Sequence, residues 1–206
     1  MGRTSDAEQR LIEEATSLWY SRSYADVGVS EICDAAGVRK GSFYHFFPSK
    51  RDLALAVLDR HAQTFRERVV ERVAAHEGTA MERLDLVGQI GAEFLAETAE
   101  ATGTVCGCPV GNLAVELSTI DDTLRRRFDA MFRERIAFLR SLLDAAVAEG
   151  SLPAGTDTDL VAESLNAYYE GILAMAKTAG DAGLLRRLAP LAIGLVRAPE
   201  AAPVSS

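Results

Sequence analysis

No part of this chain is apolar for the roughly 20 residues that a membrane-spanning helix needs, which excludes a membrane partner built on such a helix. Cysteine is scarce, three in 206 residues. An odd and small number fits no disulfide scaffold and points to a reducing cytoplasm. The polar start, Met1 to Glu8, lacks the apolar run of a signal peptide. Alternation of apolar and polar residues is missing, and Val/Ile/Thr clusters are few, so there is no strand signal. Also missing are a nucleophile elbow, a phosphate- or dinucleotide-binding glycine loop, paired catalytic carboxylates and a His-x-x-x-His zinc helix. These absences leave no catalytic motif and no implied cofactor or metal.

What remains is helical and charged. Hydrophobic residues make up 48% and charged residues 25%, the balance of a globular chain long enough to bury a core. Acids outnumber bases, 30 to 22, for a net charge of −8. One stretch departs from that balance. Gly37-Val-Arg-Lys-Gly-Ser-Phe-Tyr-His-Phe-Phe-Pro-Ser-Lys50-Arg51 carries Arg39, Lys40, Lys50 and Arg51 with His45 and no acid. Phosphate is the natural partner of such a patch, because Lys and Arg neutralise it and release its counterions.

Periodicity predicts an all-α chain of about nine helices. The first spans about 6–21, with Ser5 and Glu8 as a capping box and Leu11, Ile12, Ala15, Leu18 and Trp19 inward. Short helices follow near 29–36, capped by Gly28 and Glu31, and near 40–47, separated by Gly37 at a left-handed turn. A long helix covers about 49–76. Thr79 and Glu82 open another, to about 101, and Pro109 starts a short one. Asp121 or Asp122 begins a long helix ending near Gly150. Two last helices cover 158–178 and 182–197, the second kinked at Pro190. A disordered tail is expected from 199. Domains are expected at 1–52 and 53–198.

Two short helices about a glycine turn make a helix-turn-helix, whose second helix enters the major groove by its N-terminal side chains. Arg39, Lys40, Gly41 and Ser42 occupy that position, with Tyr44 and His45 beyond. Phe43 and Phe47, four apart, pack on Ile32, Cys33 and Ala36. Lys50 starts the next helix, where its ammonium and the helix N–H groups suit one phosphate. Residues 5–58 resemble the DNA-binding domain of TetR-type transcriptional regulators. The matching residues are Ile32 to Val38, the run Lys40-Gly-Ser-Phe-Tyr-His-Phe-Phe47, Ser49-Lys50 and Leu53. The resemblance implies a homodimer, double-stranded operator DNA as partner, and a C-terminal domain for effector binding and dimerisation. It implies DNA contacts at Lys40, Gly41, Tyr44, His45 and Lys50, to which Ser30, Arg39 and Ser42 are added as candidates. Two departures stand out: Val27-Gly28 replaces the usual Thr or Ser at the start of the first motif helix, and Arg39 replaces a small residue.

Cys106-Gly-Cys108-Pro-Val-Gly-Asn112-Leu-Ala-Val-Glu116 resembles a Gly-Cys-x-x-Gly-Asn-Leu segment in a branch of the family, some members of which respond to electrophiles or reactive species. Cys108 precedes a helix start, where the positive helix end favours the thiolate, and Cys106 stands near as a resolving thiol. The competing reading is that both cysteines pack a helix end. Candidate effector residues are Phe94, Cys108, Asn112, Glu116, Phe128, Phe132, Tyr168 and Tyr169, polar groups and aromatics within apolar helices. Glu170 shares that interruption. Candidate dimer residues are Leu165, Ile172, Ala176, Leu188, Leu191 and Leu195. Arg125 to Arg127 read as a solvated face or an interdomain contact. The function expected is a ligand-responsive repressor. The alternatives are a small helical enzyme with Cys108 as nucleophile, and a helical adaptor that leaves the basic stretch without a role.

Overall fold

The computed structural model describes residues 3–196, without the side chains of residues 3–5, 193 and 195; the tail from 199 lies outside the described residues. Every regular element among them is helical. The order is α1 (Arg3–Ser21), α2 (Val29–Ala36), α3 (Lys40–Phe46), α4 (Lys50–Phe65), a π turn (Arg66–Val70), α5 (Glu71–Ala74), α6 (Ala80–Thr102), α7 (Pro109–Leu117), α8 (Asp122–Ala148), α9 (Thr158–Ala179), α10 (Leu184–Leu188), a 3₁₀ turn (Ala189–Leu191) and α11 (Ala192–Val196). Taking α4–α5 and α10–α11 each as one rod gives nine.

Local chemistry explains most of the ends. Gly37 closes α2 at φ 62°, the left-handed region that side chains avoid. Its N–H donates to Asp34 O and that of Val38 to Cys33 O, at 3.2 and 2.9 Å. Thr79 and Glu82 form the expected capping box, with Thr79 N–H on Glu82 Oε2 at 2.7 Å and Glu82 N–H on Thr79 Oγ1 at 3.2 Å. Asp121 caps α8 through Thr123 and Leu124 N–H. Pro190 divides the last rod, as a ring without an N–H must.

Two ends and one helix interior differ from expectation. The first helix is already running at Arg3, so Ser5 lies inside it rather than at its cap, and the pair of Arg10 with Asp6, four apart, braces its early turns. Glu31 does not cap α2; it pairs with Arg22, and Gly28 supplies only its carbonyl to Ile32 N–H. The long rod expected over 49–76 contains a π turn, a form that often marks functional positions.

Packing makes three apolar cores. Leu11, Trp19, Ile32, Phe43, Phe47, Leu53 and Leu58 unite α1 to α4, and Val110, Leu113 and Leu117 of α7 with Leu124, Phe128 and Met131 of α8 join the same cluster. A second core joins α6, α8 and α9 through Leu84, Ile90, Leu143 and Leu165. A third joins α6, α9 and α10 through Leu95, Ile172, Ala176 and Leu185.

This packing corrects the dimer face. Leu165, Ile172 and Ala176 are 0, 3 and 0% exposed, so they serve the protomer's own core. Leu188 is half-buried against the third core, and the side chain of Leu195 lies outside the described residues. Among the five whose side chains are described, Leu191 is the exposed one, and on α9 Leu160 and Met175 are exposed as well. Two sides of α9 carry apolar residues, and periodicity alone does not say which side the protomer uses.

Candidate DNA-reading face and effector cavity

Phe43 is fully buried and Phe47 nearly so, their rings 5.8 Å apart. With these two as anchors, α3 has no freedom to roll. Arg39, Lys40, Gly41, Ser42, Tyr44 and His45 all remain exposed, Ser30 with them. Arg39 caps α3 by its carbonyl alone, accepting from Ser42 and Phe43 N–H. Among the described residues neither Arg39 nor Lys40 forms an ion pair. A Cβ built on Gly41 meets nothing within 4 Å, so nothing inside the protein requires a glycine there. The opening suits an outside surface approaching the backbone.

Lys50 departs from the expected phosphate clamp. Its ammonium donates to Tyr24 O and lies 4.0 Å from the centre of the Tyr24 ring. Burial is the main cause that lowers its pKa. The loop between α1 and α2, not solvent, holds this cation.

The helices beyond α3 enclose a cavity of about 180 Å³, near the size of an engineered cavity that admits benzene. Its walls come from α4, the π turn and helices α6 to α10. Phe65, Val69, Ile90, Phe94, Leu95 and Leu139 make it apolar, and His61, Arg68, Cys108, Arg135, Asn166 and Tyr169 supply the polar groups. Arg135 donates to Glu170 at 2.8 Å, with both side chains about four-fifths buried. Arg68 pairs with Glu97 at 2.7 Å. Both guanidinium charges in the wall are therefore matched. Burial, reinforced by Arg135, lowers the His61 pKa to about 4, so the ring is neutral near pH 7. Burial pushes Tyr169 up to about 12, so its hydroxyl stays protonated.

Cys108 sits at the junction of this cavity and an outer cleft of about 750 Å³. Its Sγ caps α7, accepting from Gly111 N–H at 3.3 Å, and Arg135 Nη1 stands 3.6 Å away. The helix end is the feature expected to stabilise a thiolate, and the Arg135 cation adds to it. Burial nevertheless outweighs them and raises the pKa, because a thiolate there would lose most of its hydration. Cys108 rests as a thiol, a correction to the expected thiolate. Cys106 is also buried, but its sulfur faces Thr104 O and Thr102 Oγ1, and both cysteines are free. Gly111 leaves room for this arrangement, since a Cβ there would collide with the Glu170 carboxylate.

Of the expected effector residues, Phe94, Cys108 and Tyr169 line the cavity. The other five do not. Phe128 is 2% exposed in the first core. Phe132 and Asn112 face the outer cleft, and Asn112 is held by its Nδ2 on Cys106 O at 2.7 Å. Tyr168 spends its hydroxyl on Leu188 O at 2.8 Å, tying α9 to α10. Glu116 turns from the cavity altogether: its two oxygens accept the backbone N–H groups of Tyr24 and Ala25, each at 2.9 Å. Polarity within an apolar helix signals a buried bond, and in these cases the partner is another helix or loop of the protein.

His61 and Arg135 were missed. A signal existed for Arg135: it follows Phe128 and Met131 and precedes Leu139 and Leu142 at helical spacing, a charge within a buried stripe. Of the triple arginine, Arg125 and Arg126 pair with Asp122 on the surface, while Arg127 reaches Asp59 of α4 at 2.9 Å.

Residues 11–57 match the family model of bacterial regulatory proteins, tetR family. Residues 80–191 match the tetracyclin repressor-like C-terminal domain. The transcriptional regulator AcuR of Cereibacter sphaeroides is 33% identical over 172 residues, 83% of this chain and 76% of its own. The HTH-type transcriptional repressor NemR of Escherichia coli K12 is 30% identical over 139 residues, 68% of each chain. The crystal structure of reduced E. coli NemR is similar at a TM-score of 0.82 and 26% identity, over 95% of this chain and 100% of that one.

Proposed function

The chain belongs to the TetR family of bacterial regulatory proteins, and from that premise we propose that it is a cytoplasmic repressor, released from a palindromic operator by a small molecule. The family and these relatives are transcriptional regulators, so the reading of Cys108 as an enzyme nucleophile falls. The observation that carries the proposal is the exposed, unpaired cationic N-terminus of α3 on a molecule of net charge −8. Arg39 to Ser42, Tyr44 and His45 read the groove, and the acidic remainder keeps other surfaces off the DNA.

The homodimer forms on the outward side of α9, where Leu160, Ser164, Ala167, Gly171 and Met175 are exposed at helical spacing. Small residues there let two helices approach closely. The effector is compact, mainly apolar and uncharged. A charged ligand would enter a cavity whose cations are already matched, and it would lose its hydration without a partner. The Tyr169 hydroxyl and neutral His61 orient it.

Thiol sensing at Cys108 is the finer reading. An electrophile such as an activated alkene would form a carbon–sulfur bond at Sγ, the thiol proton passing to the adduct. The position of Sγ in the cavity wall supports this, and the raised pKa makes the reaction slow at rest. Selecting binding sites from random DNA with the purified protein tests the main proposal: a two-fold symmetric sequence is expected, and no enrichment would refute it. Alkylating Cys108 completely and finding unchanged operator affinity would remove the thiol reading alone.

A further inference from the structure

We propose that Glu116 is a positioning residue for operator recognition, the strap by which the effector domain holds the DNA-reading head at its working angle. The proposal rests on the reading of the chain as an operator-binding dimer. Glu116 lies on the last turn of α7, and both of its carboxylate oxygens accept backbone N–H groups of the α1–α2 loop, from Tyr24 and Ala25, at 2.9 Å each. These partners are 92 and 91 residues away in sequence. Charge-assisted bonds to two adjacent N–H groups fix direction as well as distance.

The loop passes the constraint on. The Tyr24 peptide is gripped from both sides, its N–H by Glu116 and its carbonyl by the Lys50 ammonium. The Tyr24 ring lies between Trp19, 5.1 Å away, and that same ammonium. Lys50 is the first residue of α4, three positions after Phe47 closes α3. Glu116 is thus one loop and one lysine from the reading helix. A second link, Arg51 to Asp121 at 3.7 Å, ties the same first turn of α4 to the α7–α8 turn.

The other end of α7 faces the cavity. Cys108 and Val110 line its wall, and Glu116 follows Cys108 by two turns of one nine-residue helix. A short rigid rod moves as a unit. Whatever displaces its N-terminus at the cavity displaces the carboxylate that holds the loop, and the coupling runs equally in reverse. In a two-fold dimer, a change in the angle of each head changes the distance between the two reading helices. That distance must match the half-site separation.

The test compares full-length wild type with Glu116→Gln and Glu116→Ala. The glutamine is isosteric and keeps one acceptor, which guards against a folding failure of the alanine variant. Amide hydrogen exchange reads the strap directly. Exchange at Tyr24 and Ala25 is expected to quicken at least about tenfold in either variant, and that at Val38, bonded within the motif, to stay unchanged. The second readout is operator spacing, on the sequence selected by wild type with one base pair inserted or removed between half-sites. Wild type should lose affinity by about tenfold or more, and the variants by about threefold or less. A strap that served folding alone would leave this spacing preference as it is. Unchanged exchange at Tyr24 and Ala25 overturns the proposal, as does faster exchange with wild-type spacing preference. Failure to select any operator overturns the regulatory reading itself, a different result, and the positioning role falls with it.

Discussion

The proposed DNA-reading face and the proposed effector cavity solve opposite problems with similar residues. Along α3 and its two caps the buried members, Phe43 and Phe47, are aromatic and the candidate contacts are exposed, so that the nine residues 39–47 contain both halves of the site. At the cavity the functional groups point inward and come from six separate helices and a π turn. The first site is nearly linear in sequence, while the second exists only after packing. Charge is also handled differently: Arg39 and Lys40 are left unmatched for an outside partner, whereas Arg135 and Arg68 are each matched within the protein.

The largest expected effect breaks the first region alone. Phe43→Ala removes a fully buried ring from the core shared by α1 to α4 and should cost about 3–5 kcal/mol. Urea unfolding should show the loss, and operator binding should vanish with it. If stability is kept, α3 is not anchored as described.

Arg135→Ala should break the second region by about 3 kcal/mol, since it strands the Glu170 carboxylate in a mostly buried position. The sharper form of the test is the double change of Arg135 and Glu170 to Leu, which removes both charges and should recover most of the loss. No recovery would mean that the pair matters for more than its own charge balance.

A pH series separates the regions next. His61 is held neutral, with its pKa lowered from 6.5 to about 4. The unfolded chain takes up the proton near 6.5, and the folded protein resists until about 4. Stability from this group is therefore complete above 6.5 and falls as pH drops through that window, by up to about 3 kcal/mol. Replacing His61 with Gln should flatten the dependence of the urea midpoint between pH 7 and 5. An unaltered slope would assign the acid sensitivity to other groups.

The smallest effect concerns the reading face. Lys40→Ala should leave stability untouched, weaken binding similarly across DNA sequences, and reduce the slope of log affinity against log salt by about one. A change in preference at one base position, with the salt slope intact, would move Lys40 from phosphate to base contact.

Much of this molecule was legible beforehand for local reasons. Gly37, Thr79 with Glu82, Asp121 and Pro190 act within a few residues of themselves, so their effects can be read in order along the chain. The anchoring of α3 by Phe43 and Phe47 is likewise a matter of spacing within one turn. Errors came where a residue had more than one possible partner. Glu116 and Tyr168 look like ligand groups because they are polar within apolar helices, yet one serves the α1–α2 loop and the other α10. Leu165, Ile172 and Ala176 look like an interface because α9 is apolar on more than one side, yet they face inward.

Residue order alone thus settles the all-helical class, the helix-turn-helix and its cationic face, because helix period, caps and turn glycines depend on near neighbours. Only tertiary packing decides that Arg135 neutralises Glu170 beside Cys108, that the thiol stays protonated, and that Glu116 grips the reading head from 92 residues away. Desolvation and hydrogen-bond pairing depend on which helices meet, and that is set by the whole core at once.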